Sequence, residues 1–223
     1  MPHCFPTRRV LVSGLLPLLF ALQASGGAKA DSYARLLVGG RVTVELPADW
    51  SVRDASEVSA TTLIDMRGWK GRALEPAGGR VEALDALSRL DTYKAFVRVS
   101  LIPTPMFTQD DFRKVLAESQ QGILNGVAAN WDKERPALES EFRGSGAELL
   151  PGRTVRIQQV GENVAFAIEY RLRYAGDGSP FLVSQYHIPA GKQKVDFAVG
   201  YRELDAQAFA PIQERVKTSL TIR

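Results

Sequence analysis

Asn163-Val-Ala-Phe-Ala-Ile-Glu-Tyr-Arg-Leu-Arg-Tyr174 is the stretch that decides the fold. Val164, Phe166, Ile168, Tyr170, Leu172 and Tyr174 alternate with Ala165, Ala167, Glu169, Arg171 and Arg173. That two-residue period belongs to a strand with one apolar face. Three more strand signals flank it, Thr154 to Val160, Pro180 to Pro189 and Lys192 to Arg202. Gly161-Glu162, Gly176-Asp-Gly178 and Ala190-Gly191 separate them, connections short enough for hairpins, so the pairing is expected to be antiparallel.

Upstream, Arg35 to Leu46 reads as two strands around Gly39-Gly40, ended by Pro47-Ala-Asp-Trp50. Thr61 to Met66 reads as a third strand and Tyr93 to Ile102 as a fourth, with Tyr93, Ala95, Val97, Val99 and Leu101 on one face. Between them, Arg67 to Asp91 is rich in Gly and contains Pro76, and loops of that length tend to be functional. Within it, Val81-x-x-Leu84-x-x-Leu87-x-x-Leu90 predicts a short helix. Thr108, followed by Asp110 and Asp111, marks a helix N-terminus, because its hydroxyl caps a free N–H and the carboxylates face the positive end of the dipole. Phe112, Leu116, Ile123, Val127 and Trp131 form its stripe, and the helix is expected to run to near Lys133 and stop before Pro136. Gly122 and Gly126 interrupt it at about 1 kcal/mol each. Close approach of the helix to a sheet is the reason expected for tolerating them, ahead of a hinge. Gly144 to Gly152 reads as a turn, and Asp205 to Leu220 as a closing helix with Phe209, Ile212, Val216 and Leu220 inward. The fold class predicted is α+β: an antiparallel sheet of about six to seven strands packed with two main helices.

The first 30 of the 223 residues read as a secretory leader, with Arg8-Arg9, the apolar run Val10 to Ala24, and Ala28-Lys-Ala30 before the expected cleavage. The run is about 15 residues, short of the ~20 that span a bilayer, and Gly14 and Pro17 interrupt it. Cys4 precedes the run, the wrong side for a lipid anchor. Thr7-Arg8-Arg9 also resembles a twin-arginine signal, with the ordinary secretion route expected first. Residues 31–223 are then one exported domain, periplasmic or secreted. All 25 acidic residues lie in it with 25 of the 28 basic ones, Arg8, Arg9 and Lys29 being in the leader, so its net charge is zero. That neutrality argues against nucleic-acid binding. The only Cys is Cys4 and the only His beyond the leader is His187, which excludes thiol catalysis, disulfide frameworks and Cys-rich metal sites there.

The order of elements, with Val44-Glu-Leu-Pro-Ala-Asp-Trp50 closing the first hairpin and Lys217-Thr-Ser-Leu220 in the last helix, resembles the PsbP-like superfamily. Those proteins are α/β/α sandwiches that include photosystem PsbP proteins, yeast Mog proteins and bacterial DcrB-like exported proteins. The resemblance spans most of Arg35 to Ile222 and implies a binding or accessory role without catalysis. The superfamily has no shared catalytic motif, so it assigns no functional residue; no cofactor is expected.

No phosphate loop, nucleophile elbow or HExxH spacing occurs in the chain. His187 is the one candidate general base of the type suited to work near neutral pH. It shares a strand face with Phe181, Val183 and Gln185, with no serine beside it, so a hydrogen-bonded His within a sheet is the reading favoured over a hydrolase. One imidazole with scattered carboxylates makes a poor metal site. Two surfaces stand out for a partner, another envelope protein or a small anionic ligand. One is an arginine zone of Arg98, Arg156, Arg171, Arg173 and Arg202, which exists only if the polar faces of the strands align. Cross-strand pairing of these arginines with carboxylates is the reading preferred over ligand capture. The other is Arg67-Gly-Trp69-Lys70-Gly-Arg72, cations around a Trp on a Gly-rich loop, weighed equally against a Trp folded over a sheet edge.

Overall fold

The first hairpin forms where Gly39 and Gly40 take φ of 54° and 68°, a left-handed turn that a side chain would resist. It joins β1 (Tyr33–Val38) to β2 (Val42–Pro47), paired antiparallel from Val38↔Val42 to Tyr33↔Pro47. The computed structural model describes residues 32–54, 72–73, 80–88 and 94–223. The leader, the expected strand Thr61 to Met66 and the Trp69 loop, with Arg67 and Lys70, lie outside them. Arg72 enters only as a backbone position of a two-residue strand, opposite Val52.

The remaining elements are β3 (Ser51–Asp54), β4 (Arg72–Ala73), β5 (Arg80–Val81), β6 (Leu84–Leu87), β7 (Ala95–Ile102), α1 (Gln109–Gly144), β8 (Ala147–Val160), β9 (Asn163–Tyr174), β10 (Phe181–Pro189), β11 (Lys194–Arg202), a 3-10 turn (Glu203–Asp205), α2 (Ala206–Ser219) and β12 (Thr221–Ile222). They make two sheets where the sequence predicts one. The larger is antiparallel throughout, in the order β4-β3-β6-β7-β11-β10-β9-β8, and the smaller runs β12-β2-β1-β5 with β1 and β5 parallel. The fold is α+β. One face of the large sheet packs against α1 through Phe96, Ile168, Tyr170, Leu172, Phe181 and Val183. Its other face, with Val97, Val99, Tyr186, Phe197 and Val199, packs against the small sheet and against Phe209, Ile212 and Val216 of α2. Trp50, the end of the Leu-Pro-x-x-Trp stretch, is buried with its ring 6.5 Å from Phe209. Burial of each such side chain contributes roughly 1.5–3 kcal/mol.

Three local expectations are corrected. Leu84–Leu87 is a strand and no helix, because it lies between β3 and β7 in a sheet covered on both faces, so all four residues are buried and the three-residue spacing carries no meaning. The helix continues through Pro136 to Gly144 because Trp131, Leu138 and Phe142 pack on the sheet beyond the point where Pro removes a backbone hydrogen bond. Most of the expected turn Gly144 to Gly152 belongs to β8, which pairs from Ala147 and shifts register between Leu149 and Arg153, at Pro151-Gly152.

Candidate functional site

Register places side chains on each face of the large sheet in rows. Phe166, His187, Asp196 and Ser100 are successive cross-strand partners on β9, β10, β11 and β7, and so face α1 together. The next row is Ile168, Gln185, Ala198 and Arg98. Helix α1 is fastened above these rows at both ends. At the start, Thr108 caps the Asp111 N–H, Phe112 meets Phe166 edge-on at 4.6 Å, and Gln109 donates to the Pro189 and Val164 carbonyls and accepts from the Val164 N–H. Farther along, Trp131 lies 5.0 Å from Tyr170, and Arg153 donates to the Ala128 carbonyl and pairs with Asp132.

Between the two fastenings the helix carries Gly122 and Gly126. Close approach to the sheet does not explain them. A Cβ on Gly126 would meet nothing within 4 Å, and one on Gly122 would meet only Ser119 Oγ and Cβ, at 2.7 and 4.0 Å. Ser119 itself leaves helical geometry (φ −150°, ψ 46°), so both glycine-bearing turns follow a kink. The result is a cleft of about 450 Å³ under α1. Val127, Trp131 and Leu138 form its roof, Phe166 and Ile168 its floor, Met106 one end, and Gln185, His187, Lys194 and Asp196 its polar wall. A volume of a few hundred Å³ is the usual size for a small-molecule site.

The polar wall is built before any ligand arrives. His187 Nδ1 lies 2.6 Å from Asp196 Oδ1, and Lys194 Nζ lies 3.0 Å from Asp196 Oδ2. An ionised carboxylate only accepts, so the imidazole hydrogen sits on Nδ1 and Nε2 is left to the cleft. Burial works against the charge on Asp196, yet the hydrogen bond from His187, reinforced by Lys194, holds its carboxyl below the ordinary range. Glu134, on the exposed side of α1, lines the mouth and accepts from Asn130 at 2.9 Å. Among the described residues, no Ser, Thr or Cys lines the cleft. Ser100 is on the row, but Asp196 stands between it and His187, the wrong order for a serine triad. Among the described residues, no group of three or more His, Cys, Asp or Glu is placed to hold a metal ion.

The arginine zone does not exist as one surface. Arg98 and Arg202 share the α1 face with Gln185 and Phe181, whereas Arg156, Arg171 and Arg173 lie on the opposite face. Each is engaged: Arg98 with Asp85 at 2.6 Å, Arg156 with Glu169 at 3.0 Å, Arg171 with Glu203 at 2.6 Å, Arg173 with Glu148 at 3.5 Å, and Arg202 with Asp205 at 2.6 Å. Ion pairing, the reading preferred for them from the sequence, describes all five. Sequence reasoning missed Trp131, Val127, Lys194 and Asp196 as site residues. The one signal available was Gly126, a helix-interior glycine with a purpose.

Neither a family model nor a curated protein matches the chain. Its fold is similar to the solution structure of a cyanobacterial PsbP from Synechocystis, with 15% identity and a TM-score of 0.47 over 91% of this chain and 99% of that one. It is also similar to a crystal structure from Bacteroides thetaiotaomicron, with 11% identity and a TM-score of 0.41 over 83% of this chain. This chain spans 46% of that protein's length. No residue role passes across either likeness.

Proposed function

We propose that this chain is an exported, non-catalytic binding protein of the cell envelope that holds a small molecule in the cleft between α1 and the large sheet. The observation that carries the reading is the cleft itself, apolar above and below, with a polar wall whose His187 Nε2 has no hydrogen-bond partner among the described residues. No described helix is long and apolar enough to cross a membrane. The test uses the anionic dye 1-anilinonaphthalene-8-sulfonate on the purified protein. Saturable binding of one dye per chain, lost in Gly126→Trp, supports the reading, because that indole would stand where a Cβ now meets open space. Equal binding in the variant refutes it. Intact mass of the exported protein tests the leader, and the expected first residue is Asp31.

A hydrolase is the second reading, favoured by the His187–Asp196 pair alone. With no hydroxyl or thiol lining the cleft among the described residues, water would be the nucleophile and His187 its general base. Turnover of p-nitrophenyl butyrate that disappears in His187→Gln would establish that reading over the first.

A further inference from the structure

We infer that the cleft takes a small amphipathic monocarboxylic acid, whose carboxylate meets Lys194 Nζ and His187 Nε2, and that His187 takes up one proton as the acid binds. The inference rests on the cleft being the binding site and goes on to name its ligand.

The charges facing His187 decide the class. From β11 come Asp196 and Lys194, from α1 comes Glu134 at the mouth, and β9 contributes the uncharged Phe166. With a neutral imidazole the inner wall is balanced, one carboxylate against one ammonium, and Nε2 offers only a lone pair. With a protonated imidazole the wall carries one net positive charge and Nε2 becomes a donor. Lys194 uses one of its N–H groups on Asp196 and has others to give. Two cationic donors on one side of an otherwise apolar cleft match a single carboxylate, which restores neutrality inside it. A buried ligand charge left without such a partner would be strongly unfavourable.

The same geometry sets the limits of the class. Asp196, held ionised by its neighbours, steadies the imidazolium that the acid requires. Glu134 at the mouth repels a second ligand carboxylate, so diacids are disfavoured. Val127 and Trp131 above and Phe166 and Ile168 below make an apolar slot suited to an aryl or branched alkyl body.

Isothermal titration of the mature protein with 3-phenylpropionate, in phosphate and in Tris at pH 8, reads the proton count from the difference in heats. Proton uptake on binding and an affinity that falls as pH rises are expected, because only the protonated ring donates from Nε2. His187→Gln should remove both the uptake and the slope. Lys194→Met should weaken binding about tenfold or more and keep the slope. The neutral analogue 3-phenylpropanol separates the possible failures. If the alcohol binds as tightly as the acid with no proton uptake, the acid class is overturned while the cleft remains the site. If dye and acid both bind unchanged in Gly126→Trp, the cleft reading falls with it.

Discussion

Asp85→Asn tests whether Arg98, one of the arginines singled out in the sequence, belongs to the fold. Asp85 is fully buried at the centre of a three-strand row, Arg53–Asp85–Arg98. It accepts from Arg53 Nε at 3.1 Å and Nη2 at 2.8 Å, and from Arg98 Nε at 2.6 Å and Nη2 at 3.2 Å. Removing one partner of a buried pair costs about 3–5 kcal/mol, most of it the desolvation of the charge left behind. The Arg53 side chain is 21% exposed and can turn to water, whereas that of Arg98 is 10% exposed and cannot. Only one charge is therefore stranded, and the lower end of the range, about 3 kcal/mol, is expected. With a urea slope of about 2 kcal/mol per molar, the unfolding midpoint should drop by about 1.5 M. Tryptophan fluorescence and far-ultraviolet circular dichroism should report the same midpoint. In the double variant Asp85→Leu with Arg98→Met, no charge is left facing an empty site, and at least half of the loss should return. A midpoint for Asp85→Asn within about 0.5 M of the parent would refute the argument and return Arg98 to the list of free cations.

Three further outcomes are expected. Gly161 has φ 56°, and a Cβ there would lie 1.9 Å from the Leu220 carbonyl oxygen, so Gly161→Ala should cost more than about 2 kcal/mol in urea unfolding. Asp196 has its carboxyl lowered in the folded state, so the stability it adds is complete above the unfolded value near 4 and is lost as pH falls through the folded value; Asp196→Asn should therefore differ most from the parent at pH 6 and converge on it as pH falls below the ordinary carboxylate range. Arg171→Glu with Arg173→Glu reverses two side chains that are 57% and 52% exposed, and each pair contributes at most about 1 kcal/mol, so a small drop in melting temperature with unchanged dye and acid binding is expected.

What the sequence determined by itself was the local periodicity and its punctuation. Val164 to Tyr174 alternates so strictly that β9 begins and ends where the pattern does, and Phe209, Ile212, Val216 and Leu220 mark the inner face of α2 as read. Both patterns are set by one face meeting one core, which is information carried within a single element. Where an element is covered on both faces, as Leu84 to Leu87 is, the period vanishes and the helix reading had nothing to contradict it. Pro136 was a sound stop by local rules, and packing of Leu138 and Phe142 overrode it. The candidate site depended on long-range register. Asp196 meets His187 only because β10 and β11 pair in the register His187↔Asp196, and Arg98 leaves the supposed arginine zone because its row runs through Ala198 and Gln185. The cleft exists because α1 is fastened at Phe112 and Trp131 and bare at Gly126, three positions whose spacing along the helix says nothing of the sheet beneath. A one-residue slip of β10 against its neighbours would turn His187 to the other face, which is why only the tertiary structure decided the site.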